Sequence, residues 1–202
     1  MIYSLKRLES GLIVTFNEPL YTISSAIHNG GIGFRDGFFV IYVDKNYSAN
    51  AYEDLRSFAM HHALENHVGF MTAAWNLYYH KEGIVKVYAN IGLDNLCVPG
   101  EDCLKNKTVG TVNIYVLIDH PLSTVGLINA LCTAMEAKAY ALTKLTGAPS
   151  TTSDACMVSS IKGEEDFAGS ATDVGRNIGV AVRKIIEEGV RSYLLKDRLS
   201  DA

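Results

Sequence analysis

The sequence predicts an α/β or α+β protein, a single layered domain in which about three main helices pack on a mixed β-sheet. Three observations predict this class. Short strand-like runs separated by turn residues fill the first part of the chain. Residues 109–118 form a nearly continuous apolar segment, which is typical of a strand buried on both faces. Helical and strand-like segments then alternate, as expected for a layered domain.

The length of the chain is consistent with one domain. The 202 residues contain no internal repeat, low-complexity segment or linker. We therefore expect a single domain over residues 1–202. A domain of this length buries roughly 70% of the surface of its unfolded chain, so it needs no disulfide or metal for stability.

The first third of the chain reads as strands followed by a helix. Residues 2–8 and 11–16 predict a hairpin, and residues 20–27 and 38–43 predict two further strands. A helix is expected over residues 51–65. Asn50 can cap it, and Glu53 three residues later completes a capping-box pattern.

The remaining elements follow from apolar periodicity and end signals. Strands are expected at residues 68–75 and 84–91, and a loop at 92–108. The buried strand at 109–118 is followed by an alanine-rich helix that begins at Ser123 and ends at Gly147. A strand at 152–161 precedes a last helix, which we expect to begin near Ser170, with Asp173 completing its cap pattern.

Composition excludes several classes of function. The net charge is −4 and no run of Lys or Arg occurs, so a nucleic-acid partner is not expected. The first residues lack the apolar core of a signal peptide, and no stretch of 18 apolar residues exists. We therefore expect a cytoplasmic protein without a membrane partner. A homo-oligomer is left open.

The cysteine and histidine pattern predicts no metal site. The four cysteines include no CxxC pair, and HExxH is absent. Cys97 and Cys103 are close enough in sequence for a local disulfide, but we expect four reduced thiols. No cofactor is required by any motif, and the need for a metal stays open.

Polar residues stand at the ends of the predicted elements. His28, Asn29 and Gly30 can bond a substrate amide or form an ordinary turn. Thr111 and Asn113 stand in the apolar strand, where an unpaired amide would cost roughly 1–3 kcal/mol. Asn113 therefore either bonds backbone at a strand edge or faces a pocket.

Three further clusters lie in the second half of the chain. Glu136 and Lys138 are about 200° apart on the alanine-rich helix, so we expect one of them to point into protein. A partly buried Glu could serve as a general base. The hydroxyl-rich turn with Thr151 and Asp154, and the predicted helix start with Thr172 and Asp173, are candidate sites for amide or anionic oxygens. Their candidate residues are Thr151, Asp154, Thr172 and Asp173.

Six segments in order resemble the adenosylcobinamide amidohydrolase family of corrinoid salvage. The most specific feature is GTxN followed about twenty residues later by TxxEAK. The segments are SSAIHNGG (24–31), GFMTAA (69–74), VGTVNIYVLID with PL (109–122), TAMEAKAYAL (133–142), TTSDACMV (151–158) and AGSATDVGR (168–176).

The resemblance implies hydrolysis of the aminopropanol amide of adenosylcobinamide to adenosylcobyric acid, so that a corrinoid is the substrate. An amide is a poor electrophile, so the site must activate a nucleophile and stabilise an oxyanion. Glu136 or Asp154 is the candidate base, and Lys138 protonates or orients the leaving amine. The oxyanion is expected at Asn113, Asn29 or the helix start near Thr172. A covalent route through Thr111 or Thr151 remains open.

The chain departs from the family pattern just before Asp154. Members usually carry Ala-Thr-Gly-Thr there, and this chain has Ala148, Pro149, Ser150 and Thr151. Proline fixes φ and removes an N–H donor, so substrate binding can differ. A non-hydrolytic corrinoid- or small-ligand-binding protein on the same fold is therefore the alternative, and an amidase for another amide is a third.

Overall fold

The computed structural model describes the backbone of residues 3–103 and 110–200, and the side chains of 3–103 and 110–195. Ten strands and three helices occur in these ranges. In chain order they are β1 (Tyr3–Leu8), β2 (Gly11–Ser24), β3 (Gly31–Tyr42), α1 (Ala51–His62), β4 (His67–Thr72), β5 (Leu77–Glu82), β6 (Val85–Ile91), β7 (Leu96–Cys97), β8 (Val112–Leu122), α2 (Thr124–Thr146), β9 (Ser150–Thr151), β10 (Ala155–Lys162) and α3 (Asp173–Ser200).

The main sheet has eight strands and is mixed, as predicted. Its order is β4-β3-β2-β10-β8-β6-β5, and β1 pairs with the first half of β2. The pairs β8–β10 and β3–β4 are parallel and the other pairs of this sheet are antiparallel. Strands β7 and β9 form a separate two-stranded ribbon. The predicted α/β class with three helices is confirmed.

Strand β8 contributes to two separate cores because its side chains alternate between two faces. Ile114, Val116 and Ile118 pack with α2 and α3 in the largest core. Tyr115 faces the other way and stacks on Phe38 of β3, with ring centroids 4.6 Å apart. The strands β1–β4 therefore pack over the face of β6, β8 and β10 that is turned away from α2 and α3.

Helix α1 covers the outer face of the β2–β4 part of the sheet. Leu55 and Ala59 on its buried side pack against Ile13 and Phe39. Its predicted cap is confirmed, since the Asn50 side chain accepts hydrogen bonds from the N–H groups of Tyr52 and Glu53. The helix ends earlier than predicted because Ala63 adopts a left-handed conformation, with φ of 55°.

Several predicted boundaries were wrong. The segments 11–16 and 20–27 belong to one strand, β2, whose pairing with β3 is irregular between Thr15 and Leu20. Pro19 lies in that interval, where a missing N–H is tolerated. β3 starts earlier than predicted and β5 was missed, although β5 forms a hairpin with β6. Residue 109, the predicted start of β8, lies outside the described residues.

The predicted cap of α2 is confirmed, whereas the predicted cap of α3 was wrong. Helix α2 is capped as predicted, because the Ser123 side chain accepts from the N–H of Gly126, and Gly147 ends the helix with φ of 83°. Helix α3 starts three residues later than predicted. Thr172, not Ser170, caps it by accepting from the N–H of Gly175 at 3.0 Å.

The expectation of four reduced thiols was wrong. Cys97 and Cys103 form a disulfide, which closes a short loop after β7. Cys132 is free and exposed, and Cys156 is free and buried. Burial raises the pKa of the Cys156 thiol to about 12, so this thiol stays protonated at neutral pH.

His67 makes the folded state sensitive to acid. Its side chain is buried, its Nε2 lies 3.2 Å from the Thr15 hydroxyl, and burial lowers its pKa despite the nearby Asp36 and Glu65. The folded state therefore disfavours the proton that the unfolded chain binds below pH ~6.5. We expect the free energy of unfolding to fall as the pH drops below that value, by up to ~1.4 kcal/mol per pH unit.

Urea denaturation at several pH values measures this effect. His67→Gln should remove one proton's share of the slope. An identical pH slope in wild type and His67→Gln would contradict the assignment.

Candidate active site

A cavity of about 390 Å³ opens at the amino-terminal ends of β8 and β10. This volume lies within the range of small-molecule sites. Because β8 and β10 are parallel and in register at Asn113 and Ala155, their starts lie side by side. Thr111, Asn113, Ser153 and Asp154 form the polar wall, and residues of β4, α1 and the loop after β2 form the apolar one.

Asp154 is the centre of the polar wall, and its carboxylate is held by four donors. Oδ1 accepts from the N–H of Val112 at 2.9 Å and from the Thr151 hydroxyl. Oδ2 accepts from the N–H of Thr151 at 3.1 Å and from the Lys138 ammonium. A carboxylate offers about four lone-pair sites, so this shell fixes the group's orientation completely.

Lys138 is the charge of α2 that points into the protein. Its side chain is 2% exposed and that of Asp154 is 6% exposed, so the two form a buried ion pair. The ammonium reaches Asp154 from the α2 side of the sheet, and Lys138 does not line the cavity. It therefore holds Asp154 in position, and a contact of Lys138 with the leaving amine stays a prediction.

Glu136 faces solvent on the opposite side of α2. Its predicted role as general base depended on partial burial, and Glu136 is not buried. It lies about 200° round the helix from Lys138, whose side of α2 faces the protein interior. The expectation of one inward charge is confirmed, but the inward charge is the lysine. Glu136 is not among the described residues that line the cavity.

Thr111 and Asn113 lie together at the start of β8, as the GTxN spacing suggested. The Thr111 hydroxyl lies 2.8 Å from the carbonyl oxygen of Ser153 and 3.1 Å from Asn113 Oδ1. Asn113 Nδ2 donates to the carbonyl oxygen of Met71 at 3.1 Å. The buried amide therefore bonds backbone, although β8 is not an edge strand, and it also faces the cavity.

Thr151 is buried beneath the polar wall and does not line the cavity. Its hydroxyl donates to Asp154, and the carbonyl oxygen of Gly110 lies 3.4 Å away as a second acceptor. Within residues 148–151, where the chain departs from the family pattern, the N–H that donates to Asp154 belongs to Thr151. The proline at position 149 therefore does not remove this donor.

The loop with His28, Asn29 and Gly30 borders the cavity without placing these three residues in it. The Asn29 amide donates to the carbonyl oxygens of Glu65 and His67 at 2.6 and 3.0 Å. A Cβ on Gly30 would lie 2.0 Å from the Ala26 carbonyl oxygen, so glycine is needed for close backbone packing. Both residues stabilise the loop, and a role of Asn29 at the oxyanion has no support.

His28 lies behind the cavity wall. Its ring packs edge-on against Phe39, and its carbonyl oxygen accepts from the N–H of Gly69, a wall residue. Burial lowers the pKa of His28, so the ring is neutral at neutral pH. Contact of His28 with a substrate stays a prediction.

Thr172 and Asp173 lie at the opposite end of the sheet from the cavity. Asn177, one turn into α3, is next to Gly83 before β6. Val85, the first residue of β6, pairs with Ile118, which lies near the carboxyl end of β8. The Asp173 side chain is 94% exposed. Thr172 caps α3, and neither Thr172 nor Asp173 lines the cavity.

Several wall residues were not predicted, because they are far in the sequence from the residues of the polar wall. Val43, Tyr47, Ala51 and Leu55 come from the segment between β3 and the middle of α1. The Tyr47 hydroxyl donates to Asp54 at 2.5 Å. Burial and the nearby Asp54 carboxylate raise the pKa of Tyr47 to about 12. The segment GFMTAA, quoted for the family resemblance, was the one signal for the β4 wall.

Among the described side chains of residues 3–103 and 110–195, no group of three or more His, Cys, Asp or Glu could hold a metal ion. In the same part of the chain, no helix is long and apolar enough to cross a membrane. The need for a metal stays open, and a cytoplasmic location stays a prediction.

The structure combines an α/β fold with a cavity whose polar wall carries hydroxyl groups and Asp154, the carboxylate of a buried ion pair. The family model described as adenosylcobinamide amidohydrolase matches residues 2–196. The chain belongs to this family, which is named for a hydrolase that acts on an amide bond. The predicted resemblance is confirmed.

A curated relative carries the same name. The chain is 37% identical over 121 residues to the adenosylcobinamide amidohydrolase of Halobacterium salinarum (strain ATCC 700922 / JCM 11081 / NRC-1). The match covers 55% of this chain and 51% of the relative. The chain thus spans about half the length of that curated relative.

Proposed function

We propose that this protein hydrolyses the aminopropanol amide of adenosylcobinamide to adenosylcobyric acid, as a step of corrinoid salvage. Family membership over residues 2–196 supports the amidohydrolase class. The chemistry of the cavity lining supports the choice of the catalytic residue. Among the described residues that line the cavity, Asp154 is the one carboxylate, and no His, Lys or Cys is present. A proton acceptor in this cavity is therefore Asp154.

In the proposed reaction a water molecule attacks the amide carbon. The new C–O bond forms as Asp154 takes a proton from the water. Asp154 then delivers that proton to the leaving nitrogen as the C–N bond breaks, which releases aminopropanol and leaves a carboxylic acid on the corrinoid. One carboxylate thus serves as base and acid in turn.

The four donors around Asp154 set a condition for this step. One donor must move before the carboxylate can accept a proton, because its lone-pair sites are occupied. The Thr151 hydroxyl can do so, since the Gly110 carbonyl oxygen lies 3.4 Å from Thr151 Oγ1. Lys138 and the N–H groups of Val112 and Thr151 would hold the remaining positions.

Asn113 is the proposed binding group for the carbonyl oxygen, because it alone of the predicted oxyanion donors lines the cavity. The Thr111 hydroxyl keeps the covalent route open. In that route Thr111 Oγ1 forms an ester with the substrate, the amine leaves, and water cleaves the ester. The water route has the stronger support, since Thr111 bonds the Ser153 carbonyl oxygen and Asn113, and neither is a base.

The direct test is incubation of the purified protein with adenosylcobinamide. We expect adenosylcobyric acid and aminopropanol in equal amounts, separated by chromatography and identified by mass. Hydrolysis of a different amide, with adenosylcobinamide untouched, would overturn the substrate assignment. Binding without turnover would instead support a corrinoid-binding protein.

A further inference from the structure

An exposed tryptophan is held rigidly beside the cavity. Trp75 follows β4 and is 54% exposed. Its ring stacks on Tyr42, with centroids 5.3 Å apart and planes inclined by 18°. Its indole N–H donates to the carbonyl oxygen of Val43 at 3.3 Å. Tyr42 covers one side of the indole, so the exposed part is a flat aromatic surface that is fixed before any ligand binds.

This aromatic surface is next to the proposed active site and is linked to it through Val43. Val43, which anchors the indole, is also a wall residue of the cavity. A second, more open depression is lined by residues 42–47, and it shares Val43 and Tyr47 with the cavity. A ligand that extends out of the cavity past Val43 therefore reaches Tyr42, the residue on which Trp75 stacks.

The size of the cavity requires a substrate of this class to extend outward. A volume of about 390 Å³ accommodates a ligand of drug size. An adenosylated corrinoid is much larger, since it carries a macrocycle, seven side arms and a nucleoside. The amide arm can enter, and the macrocycle with its nucleoside must remain at the mouth.

We propose that the free side of Trp75 is the subsite for the adenine ring of the adenosyl group. This inference rests on the proposed function. Adenine is the fully planar aromatic group of such a substrate, whereas the rim of the macrocycle is saturated and carries amide and methyl groups. Stacking a base on an aromatic side chain changes binding by about 5- to 150-fold. Trp75 thereby selects the adenosylated form of the substrate.

Fluorescence tests the contact without any turnover. Trp75 is the single tryptophan of the chain, so indole emission reports this residue alone. We expect 5′-deoxyadenosine to quench this emission saturably when the indole is excited where adenine does not absorb. Ribose at the same concentrations should have no effect. Emission unchanged up to saturating nucleoside would overturn the proposal.

Steady-state kinetics test the selectivity. Trp75→Ala should raise KM for adenosylcobinamide about 5- to 150-fold with kcat unchanged, and Trp75→Phe should restore most of the loss. Tyr140→Ala removes an equally exposed aromatic ring from α2 and serves as the matched control. With cyanocobinamide, which lacks the nucleoside, Trp75→Ala should leave KM unchanged.

The outcomes separate this inference from the proposed function. Quenching by the nucleoside in a protein that does not hydrolyse adenosylcobinamide would sustain the subsite and refute the function. Normal hydrolysis with an unchanged KM in Trp75→Ala would refute the subsite alone. An equal rise in KM for both corrinoids would mean that Trp75 contacts the macrocycle, which would also refute the adenine assignment.

Discussion

Asp154→Asn is expected to lower kcat/KM for adenosylcobinamide by about 10²- to 10⁴-fold, the range typical of a lost general base. The substitution keeps the shape of the side chain and removes its ability to take a proton. Asp154 is the one carboxylate among the described wall residues, so no neighbour in the cavity can replace it. Release of aminopropanol under substrate-limited conditions measures the effect.

Thr111→Val is the matched control for this prediction. It keeps the size of another buried wall residue and removes its hydroxyl. If water attacks, Thr111→Val retains most of the activity while Asp154→Asn does not. If Thr111 is the nucleophile, Thr111→Val is as inactive as Asp154→Asn. Circular dichroism checks that both variants are folded. A folded Asp154→Asn variant with activity near wild type would refute the role of Asp154.

Lys138→Met is expected to lower the free energy of unfolding by about 3–5 kcal/mol. Removing one partner of a buried ion pair leaves the other charge without compensation, and a loss of this size is typical. The side chains of Lys138 and Asp154 are 2% and 6% exposed, so solvent screens the remaining charge only weakly. Urea denaturation followed by circular dichroism measures the change.

Two variants isolate the pair from the general effect of a lost lysine. Lys144→Met, at an exposed position of the same helix, should change stability by no more than about 0.5 kcal/mol. The double variant Lys138→Met/Asp154→Leu should recover most of the stability, because apolar replacement of both partners removes the unpaired charge. A double variant as unstable as Lys138→Met alone would show that the charge pairing is not the cause.

Local signals in the sequence predicted much of the fold. The caps at Asn50 and Ser123 were confirmed because a capping side chain bonds N–H groups only two or three residues away. The apolar run of β8 predicted a strand buried on both faces for a similarly local reason. Strand β5 was missed because its aromatic and charged residues depend on pairing with β6, which no local pattern records.

Three of the predicted site residues line the cavity, but their arrangement and the rest of the wall were not predicted. Thr111, Asn113 and Asp154 stand in the segments that indicated the family, and they meet in the cavity. The cavity lies at the amino ends of β8 and β10, and the caps of α2 and α3 lie at the opposite end of the sheet.

The sequence by itself determined the α/β class, the family and the presence of one inward charge on α2. These properties depend on residue order and helical spacing. Only the tertiary structure decided that Lys138 is this charge, that Asp154 is its partner, and that Thr172 and Asp173 lie elsewhere. The physical reason is that a buried ion needs a counter-ion, and Asp154 reaches Lys138 only through the parallel pairing of β8 with β10.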